Sequence, residues 1–229
     1  MPFKNSFYQS AFSVDNVIFG LDESKLKVLL IRRKGEPYKG EWALPGDLVH
    51  PKENLRDAPK RVLKELTGLV DVYLEQVHTF GKVDRHPVGR VITVAYYSLV
   101  NIPNVQPRAA SFAAEVEWFP VFELESLPFD HLEILHKCIK RLQSTVRIMP
   151  IGFELLPEKF TLSDVQDLYE AVLNKSLDKR NFRKKFLSMG ILVDVAEYQT
   201  GVAHRPAKLF RFETEKYEEF KAKGFNFEI

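Results

Sequence analysis

The chain has 229 residues, of which 33 are Lys or Arg and 31 are Asp or Glu, and its formal net charge at pH 7 is +2. This length allows one large or two modest domains, and the small charge excludes polyanion binding along the whole chain, so any such surface must be local. The single cysteine, Cys138, excludes a disulfide framework and a cysteine-rich zinc site, and its apolar context predicts a small buried hydrophobe. No signal segment and no run of about 18 apolar residues occurs, so we expect a cytoplasmic protein that uses no membrane.

The N-terminal segment predicts an aromatic arm or edge element followed by a β-hairpin. Segments 13–19 (SVDNVIF) and 25–32 (KLKVLLIR) have the composition of strands, and 20–24 is the loop between them. We interpret the cationic run at the end of the second strand, 32–34, as a solvated strand end rather than as part of a site. The aromatic residues of the arm are Phe3, Phe7, Tyr8 and Phe12.

The stretch 42–69 (WALPGDLVHPKENLRDAPKRVLKELTGL) predicts a strand end, a tight loop and a helix over 54–67. Gly68 can provide the left-handed C-terminal cap, and Pro59 lies close enough to the helix start to cause a kink or a late start. Apolar residues recur at helical spacing and predict a buried face. These residues are Leu55, Val62, Leu66 and Leu69.

This stretch resembles the Nudix box, the loop-helix-loop G-x5-E-x7-R-E-U-x-E-E-x-G-U of the Nudix hydrolases, in which U is aliphatic. The matching positions are Glu53, Arg61, Leu63, Glu65, Gly68 and Leu69. Asp47 replaces a Gly of the box, while Val62 and Leu66 replace two of its glutamates. In active members these carboxylates bind the divalent metal that activates a diphosphate, and an aliphatic side chain cannot do so. We therefore predict no catalytic residue, no metal site, no cofactor and no hydrolase activity.

After the box, segments 72–80, 91–100 and 115–122 predict strands, and a helix is expected from about 127 to 141. The polar loop 81–90, which is punctuated by Gly and Pro, is where ligand-facing residues are expected. Its candidates are Asp84, Arg85, His86 and Arg90. A lone His with one Asp lacks the ligands of a metal site. A solvated hairpin tip is the alternative interpretation of this loop.

The C-terminal part has the order of a winged helix-turn-helix domain. Segment 145–158 predicts a linker, and Thr161 or Ser163 caps a helix that ends near 174. A basic helix starts at about Asp178 and ends at Gly190, and two strands follow around the loop 199–208. Phe182, Phe186, Leu187 and Met189 are expected to face inward.

Local charge supports DNA binding by this part. Residues 175–211 contain nine Lys or Arg against three Asp or Glu, and a basic helix beside a basic hairpin is typical of phosphate contact. A solvated helix face is the alternative interpretation of the basic helix alone. The predicted DNA-binding residues are Lys179, Arg180, Asn181, Arg183, Lys184, His204, Arg205 and Lys208.

Together, VDRHPVGRVITVAYY, LPFDHLEIL and the C-terminal pattern resemble the Nudix-related transcriptional regulators. This resemblance implies an α/β (α+β) fold, with a Nudix-type α/β/α sandwich and mixed sheet in 1–147 and a winged helix in 148–229. It also implies a homodimer that binds a double-stranded DNA operator and represses or activates transcription. The implied effector is ADP-ribose or, in a branch from Bacteroidetes to which this chain is more similar, a pentose such as L-arabinose.

For a pentose, an aromatic face with a few polar groups is expected. Tyr38, Lys39, Trp42 and Glu65, together with the loop 81–90, can supply them. Two other functions remain open. One is a magnesium-dependent hydrolase of a nucleoside diphosphate derivative that uses Glu53, Glu65 and a further, unidentified carboxylate. The other is a constitutive DNA-binding protein whose Nudix-like domain is purely structural.

Overall fold

The computed structural model describes residues 10–149, 151–203 and 205–222. The chain forms two compact units, one from Met1–Gly20 and Lys27–Arg141 and the other from Leu21–Leu26 and Leu142–Ile229. No helix within the described ranges has the length and apolar character needed to cross a lipid bilayer. The predicted aromatic arm lies mostly outside these ranges.

A seven-stranded sheet organises the first unit, in the order β3-β2-β1-β6-β5, with β4 paired to β1 and β7 paired to β2. Strands β1 and β6 are buried along nearly their whole length, so both faces of the sheet are covered, as in a layered α/β fold. The elements are β1 (Ala11–Asp22), β2 (Lys25–Arg33), β3 (Trp42–Ala43), β4 (Gly46–Leu48), α1 (Ala58–Thr67), β5 (Glu75–Phe80), β6 (Val91–Asn101), β7 (Ala113–Pro120) and α2 (His131–Ile148).

Helix α1 starts at Ala58, four residues later than the sequence predicts. The amide N–H groups of Asp57 and Ala58 both donate to the Asn54 carbonyl, so 54–57 forms a turn, and Pro59 lies in the first helical turn, where it is tolerated. Leu55 therefore precedes the helix and is 39% exposed, contrary to its predicted burial. The predicted cap at Gly68 is confirmed, with φ +74°.

Two other predicted boundaries were wrong. Helix α2 continues to Ile148, beyond the expected end near 141, and takes up the first residues of the predicted linker. Strand β5 starts at Glu75 rather than at 72. Both errors arise because the residues next to each true end have side chains that also suit the helix or the strand. The backbone hydrogen bonds of the packed structure, and not the sequence pattern, then set the boundary.

The second unit contains a short 3-10 turn (Ile151–Leu155), α3 (Leu162–Leu173), α4 (Lys179–Ser188), β8 (Leu192–Tyr198), β9 (Lys208–Phe212) and α5 (Thr214–Ala222). Thr161 and Asp164 form a capping box at the start of α3, and Asp178 caps α4. Strands β8 and β9 form an antiparallel hairpin, and β9 also pairs with the backbone of Phe160. The predicted winged-helix order is confirmed.

The interior of this unit is aromatic. Phe182 and Phe186 of α4 contact Tyr169 of α3, with ring centroids 5.5 Å and 5.6 Å from the Tyr169 ring. Met189 is buried as predicted, whereas Leu187 is 48% exposed. The prediction for Leu187 was wrong because it lies on the solvent face of α4, beside Lys184 and Ser188.

Candidate effector cavity and DNA-binding face

The two aliphatic replacements in the box lie in the hydrophobic core. Val62 and Leu66 are 0% and 1% exposed and pack with Val14, Ile31 and Tyr96. These positions thus present methyl groups to the core in place of the carboxylates that an active box would carry. The burial of Val62 and Leu66 therefore stabilises the fold.

The two box carboxylates that remain, Glu53 and Glu65, surround the guanidinium of Arg61 together with Asp47. Its Nε donates to Glu53 Oε1 at 2.8 Å, and its Nη1 donates to Asp47 Oδ2 at 3.2 Å and to Glu65 Oε2 at 2.9 Å. The hydrogen bond from Arg61 is the main cause of the lowered pKa of Glu53. The three acids therefore stabilise one arginine and fix the loop to the helix.

A magnesium ion of the Nudix type does not fit this arrangement. Magnesium requires several free oxygen ligands, whereas Asp47, Glu53 and Glu65 already bind Arg61. Within the described part of the chain, no three His, Cys, Asp or Glu side chains converge so that they could hold a metal ion.

A cavity of about 580 Å³ lies in the first unit beside the box loop, since Gly46, Asp47 and Leu48 form part of its wall. Its wall combines the middle of β1 with the end of β2, the loop 81–90 and the residues that precede α2. This volume is in the range of small-molecule sites in proteins. The polar and aromatic side chains in the wall that matter below are Asp15, Arg33, Arg85, His86, Arg90, Phe129 and His131.

The deepest part of the cavity contains a network of buried charged and polar groups. Arg85 donates to both oxygens of Asp130, at 2.8 Å from Nε and 2.7 Å from Nη2, and its Nη2 lies 3.4 Å from Asp15. Asp15 also accepts a hydrogen bond of 2.7 Å from the Thr93 hydroxyl. His131 Nδ1 accepts the amide N–H of Leu44 at 3.0 Å. This bond leaves the His131 proton on Nε2, 3.5 Å from Asp15.

Two further arginines of the cavity are half-buried. Arg33 Nε donates to the Pro37 carbonyl at 2.8 Å, and Arg90 Nη1 donates to the Gly81 carbonyl at 2.6 Å. Neither forms an ion pair with any carboxylate among the described residues. Asp15 and Glu36 act on Arg33 electrostatically from a distance, and the N–H groups of both arginines that make no hydrogen bond among the described residues can bind an anionic ligand.

The aromatic wall is centred on Phe129. Its ring stacks on His86 at 5.1 Å, receives the edge of Tyr38 at 4.7 Å, and lies 5.1 Å from the guanidinium carbon of Arg33. Phe129 has a φ of +59° and Tyr38 a φ of +61°. This backbone conformation is costly for a bulky residue, and such strain concentrates at functional sites.

The C-terminal unit presents a basic face on α4. Lys179, Arg180, Asn181 and Lys184 are exposed, and the three cations among them form no ion pair with any described residue. Arg183 instead turns toward α3 and donates to the Ser163 hydroxyl at 2.7 Å. On the hairpin, Lys208 pairs with Asp194 at 2.6 Å, and Arg205 is exposed. His204 lies outside the described residues.

Comparison with known proteins identifies both units. Residues 12–142 match the model of the NUDIX domain, and residues 152–212 match that of the NrtR DNA-binding winged helix domain. The chain belongs to the NrtR family of Nudix-related transcriptional regulators. The resemblance drawn from the sequence is thus confirmed, and so is its fold class.

Relatives of this family match across both units. The chain is 33% identical over 219 residues to the ADPR responsive transcriptional repressor NtrR of Acinetobacter baylyi, covering 94% of this chain and 87% of the relative. The crystal structure of Shewanella oneidensis NrtR complexed with a 27mer DNA superposes with a TM-score of 0.76 at 29% identity, covering 90% of this chain and 95% of that one. The NUDIX domain of the same Shewanella protein, complexed with ADP ribose, superposes with a TM-score of 0.53 at 32% identity, covering 58% of this chain and 88% of that one.

The eight residues predicted to face the ligand separate into two groups. Arg85, His86 and Arg90 line the cavity, and Tyr38 contacts its wall through Phe129. The other four do not line it: Lys39 and Asp84 are exposed, Trp42 packs against Phe119, and Glu65 pairs with Arg61.

Sequence reasoning missed most of the cavity wall, including Asp15, Arg33, Phe129 and His131. Asp15 carried a usable signal, because a carboxylate within the apolar run SVDNVIF is buried and requires partners. Arg33 was interpreted as part of a solvated strand end, whereas it lies over Phe129 in the cavity wall.

Proposed function

We propose that this protein is a transcriptional repressor that binds operator DNA through α4 and the β8–β9 hairpin and is released by ADP-ribose. The effector assignment rests on the cavity of the Nudix-like unit. Arg33 and Arg90 lie in its wall and form no ion pair with a carboxylate among the described residues, and two guanidinium groups can neutralise a diphosphate without a metal ion. The ADP-ribose named for two of the relatives above carries such a diphosphate.

L-Arabinose, which the sequence analysis favoured over ADP-ribose, stays a prediction that these relatives do not support. A neutral pentose has no charge for Arg33 and Arg90 to neutralise, so these two arginines of the wall favour a phosphorylated ligand. We also propose that the protein lacks hydrolase activity, because Val62 and Leu66 are core residues and the remaining box acids bind Arg61.

DNA binding is assigned to the exposed residues of α4, with Arg205 of the hairpin as a further phosphate contact. Arg180, Asn181 and Lys184 lie on one exposed face, and Arg and Asn side chains can hydrogen-bond guanine and adenine edges in the major groove. Arg183 is less accessible because it binds Ser163. We expect a homodimer and a two-fold symmetric operator, since two-fold protein symmetry is mirrored in half-site spacing.

The proposal is tested by fluorescence anisotropy with a labelled duplex taken from the region upstream of the gene neighbourhood and a scrambled duplex of the same length. Titrations are run with ADP-ribose, with L-arabinose and with neither. We expect the protein to bind the operator duplex specifically and in a salt-dependent way. ADP-ribose should release the protein from DNA, because ADP-ribose binds the DNA-free protein more tightly than the protein–DNA complex. Absence of specific binding under all conditions would overturn the repressor assignment, and release by L-arabinose alone would overturn the effector assignment.

Two variants of the cavity and one control make the test specific. R33Q and R90Q should leave DNA binding intact and raise the ADP-ribose concentration needed for release by about ten-fold or more. The matched control is R32Q, because Arg32 is the adjacent arginine of β2 and pairs with Glu115 outside the cavity. Light scattering of the full chain measures the oligomeric state, and incubation of ADP-ribose with Mg²⁺ and the protein measures hydrolysis.

A further inference from the structure

Two of the elements that line the cavity continue into the second unit. Strand β1 contributes Asp15 to the cavity wall and runs on to Asp22, and the tip of the β1–β2 hairpin, Leu21–Leu26, belongs to the second unit. Helix α2 begins at His131, which also lines the cavity, and its residues from Leu142 onward belong to the second unit. The hairpin and α2 are therefore each shared by the cavity and the winged-helix unit.

Inside the second unit, both elements are hydrogen-bonded to α3. At the hairpin tip, the Ser24 hydroxyl donates to Asp167 Oδ2 at 3.4 Å. On α2, Gln143 Nε2 donates to the Val172 carbonyl at 3.0 Å. The two acceptors on α3 are separated by about 7.5 Å along the axis of an α-helix. Helix α3 is therefore held at two separate points.

Helix α3 in turn positions α4, which carries the proposed DNA contacts. Tyr169 of α3 packs against Phe182 and Phe186 of α4, with ring centroids 5.5 Å and 5.6 Å away. Burial raises the pKa of the Asp167 carboxyl, and the charge of Lys179, the first residue of α4, acts on it in the opposite direction. Because closely packed interiors have low compressibility, a displacement of α3 also displaces α4.

The hairpin and α2 are rigid enough to carry such a displacement. Residues 13–20 of β1 are all buried, and α2 is one continuous helix of 18 residues, which is about 27 Å long. A ligand can shift an equilibrium between two arrangements only if it contacts them differently. Asp15 and His131 place such contacts directly on β1 and α2.

We propose that the β1–β2 hairpin and α2 transmit effector binding from the cavity to α3, with Ser24 and Gln143 as the coupling contacts. This inference rests on the proposed function and deepens it to the regulation of the same site. Effector binding changes the position of β1 and α2, the two contacts shift α3, and α4 then no longer fits the operator. Loss of both contacts leaves each binding site in place and reduces the coupling free energy between them.

The first test removes the two contacts in the full chain. S24G removes the hydroxyl at a residue with a φ of +59°, a conformation that glycine adopts readily, and Q143A removes the donor to α3. The double variant S24G/Q143A should keep the wild-type affinity for ADP-ribose in isothermal titration calorimetry and the wild-type operator affinity without ligand in fluorescence anisotropy. The factor by which saturating ADP-ribose raises the operator Kd should decrease by about five-fold or more.

The matched control is E23G/H136A. Glu23 is the neighbouring residue of the hairpin tip and has a φ of +49°, and His136 is an exposed residue of α2. The control should keep the full release factor. If ADP-ribose releases the wild type and S24G/Q143A equally, the inference is overturned and the proposed function stands. If ADP-ribose does not change the operator affinity of the wild type, the proposed function is overturned and the inference with it.

Hydrogen exchange of the wild type decides the question without any variant, including the case in which S24G/Q143A fails to fold. Addition of ADP-ribose should change the amide exchange rates in the hairpin tip, 21–26, and in α3, 162–173. Unchanged exchange in both segments, under conditions in which ADP-ribose releases the operator, would overturn the inference.

Discussion

The largely buried arginines Arg61 and Arg85 of the Nudix-like unit and the exposed cations of α4 differ in whether they are paired with carboxylates. In the Nudix-like unit, Arg61 and Arg85 have side chains that are 16% and 4% exposed, and each pairs with two or more carboxylates. In the winged-helix unit, Arg180 and Lys184 are exposed and form no ion pair with a described residue. A charge that is already paired stabilises the fold, whereas an unpaired charge can bind a ligand, so the pairing state indicates a binding surface better than the number of cations.

The cavity contains both kinds of arginine. Arg85 is paired with Asp130 and Asp15, while the side-chain hydrogen bonds of Arg33 and Arg90 within the described residues go to backbone carbonyls. This difference suggests that substitution of a paired arginine will mainly reduce stability, and that substitution of an unpaired one will mainly reduce binding.

The largest effect is expected for R85A, which removes the guanidinium that donates hydrogen bonds to the buried carboxylates of Asp15 and Asp130. We predict a loss of about 3–5 kcal/mol in the free energy of unfolding. Urea unfolding followed by tryptophan fluorescence measures it in the first unit, because Trp42 and Trp118 both lie there. The control is R56A, since Arg56 has 86% of its side chain exposed and its loss should change stability by about 0.5 kcal/mol or less. Equal free energies of unfolding for R85A and R56A would contradict the distinction between paired and exposed arginines.

Restoring a box glutamate by V62E should also destabilise the protein, because it introduces an unpaired carboxylate at a position with 0% exposure. We predict a loss of about 2–4 kcal/mol and no gain of ADP-ribose hydrolysis. L55E introduces the same group at a position that is 39% exposed, and it should be nearly neutral. A V62E protein as stable as the wild type that hydrolyses ADP-ribose would mean that the box retains its catalytic geometry.

A smaller, pH-dependent effect is expected from His131, whose pKa is lowered by burial. Below an unfolded pKa of about 6.5, the unfolded chain binds a proton that the folded protein excludes until its own lower pKa is reached. Stability should therefore fall as the pH decreases below about 6.5, with a slope of at most about 1.4 kcal/mol per pH unit from this group.

Unfolding of H131N at pH 7.5 and 5.5 checks this prediction, since Asn can still accept the Leu44 amide N–H. The variant should lose less stability than the wild type between the two pH values. His136 is exposed, so H136N should keep the wild-type pH dependence. An unchanged slope in H131N would assign the pH dependence to other groups.

The smallest effect on stability is expected for K184A, because Lys184 is exposed on α4 and forms no ion pair with a described residue. Its free energy of unfolding should change by about 0.5 kcal/mol or less. Operator binding should nevertheless weaken, and if Lys184 contacts a phosphate, the slope of log affinity against log salt should decrease by about one. K216A removes an exposed lysine of the same unit on α5 and serves as the control. Equal operator affinities of the two variants would exclude Lys184 from the interface.

Structural features that depend on residues close together in the sequence were predictable from the sequence. The cap at Gly68, the capping residue Thr161 and the winged-helix order are confirmed because caps, turns and periodicity are local properties. The box departures at Val62 and Leu66 were equally visible, because the spacing of the motif fixes which positions carry carboxylates.

Only the tertiary structure decided which charged residues are paired. Arg33, Arg85 and Arg90 are chemically alike in the sequence, yet Arg85 binds Asp130, which is 45 positions away, and the other two do not pair with a carboxylate in the described residues. Asp15 similarly obtains its partners from Arg85 and Thr93 through folding of the sheet. Charge pairing acts over a few ångströms of space, and the sequence specifies those distances only through the complete fold.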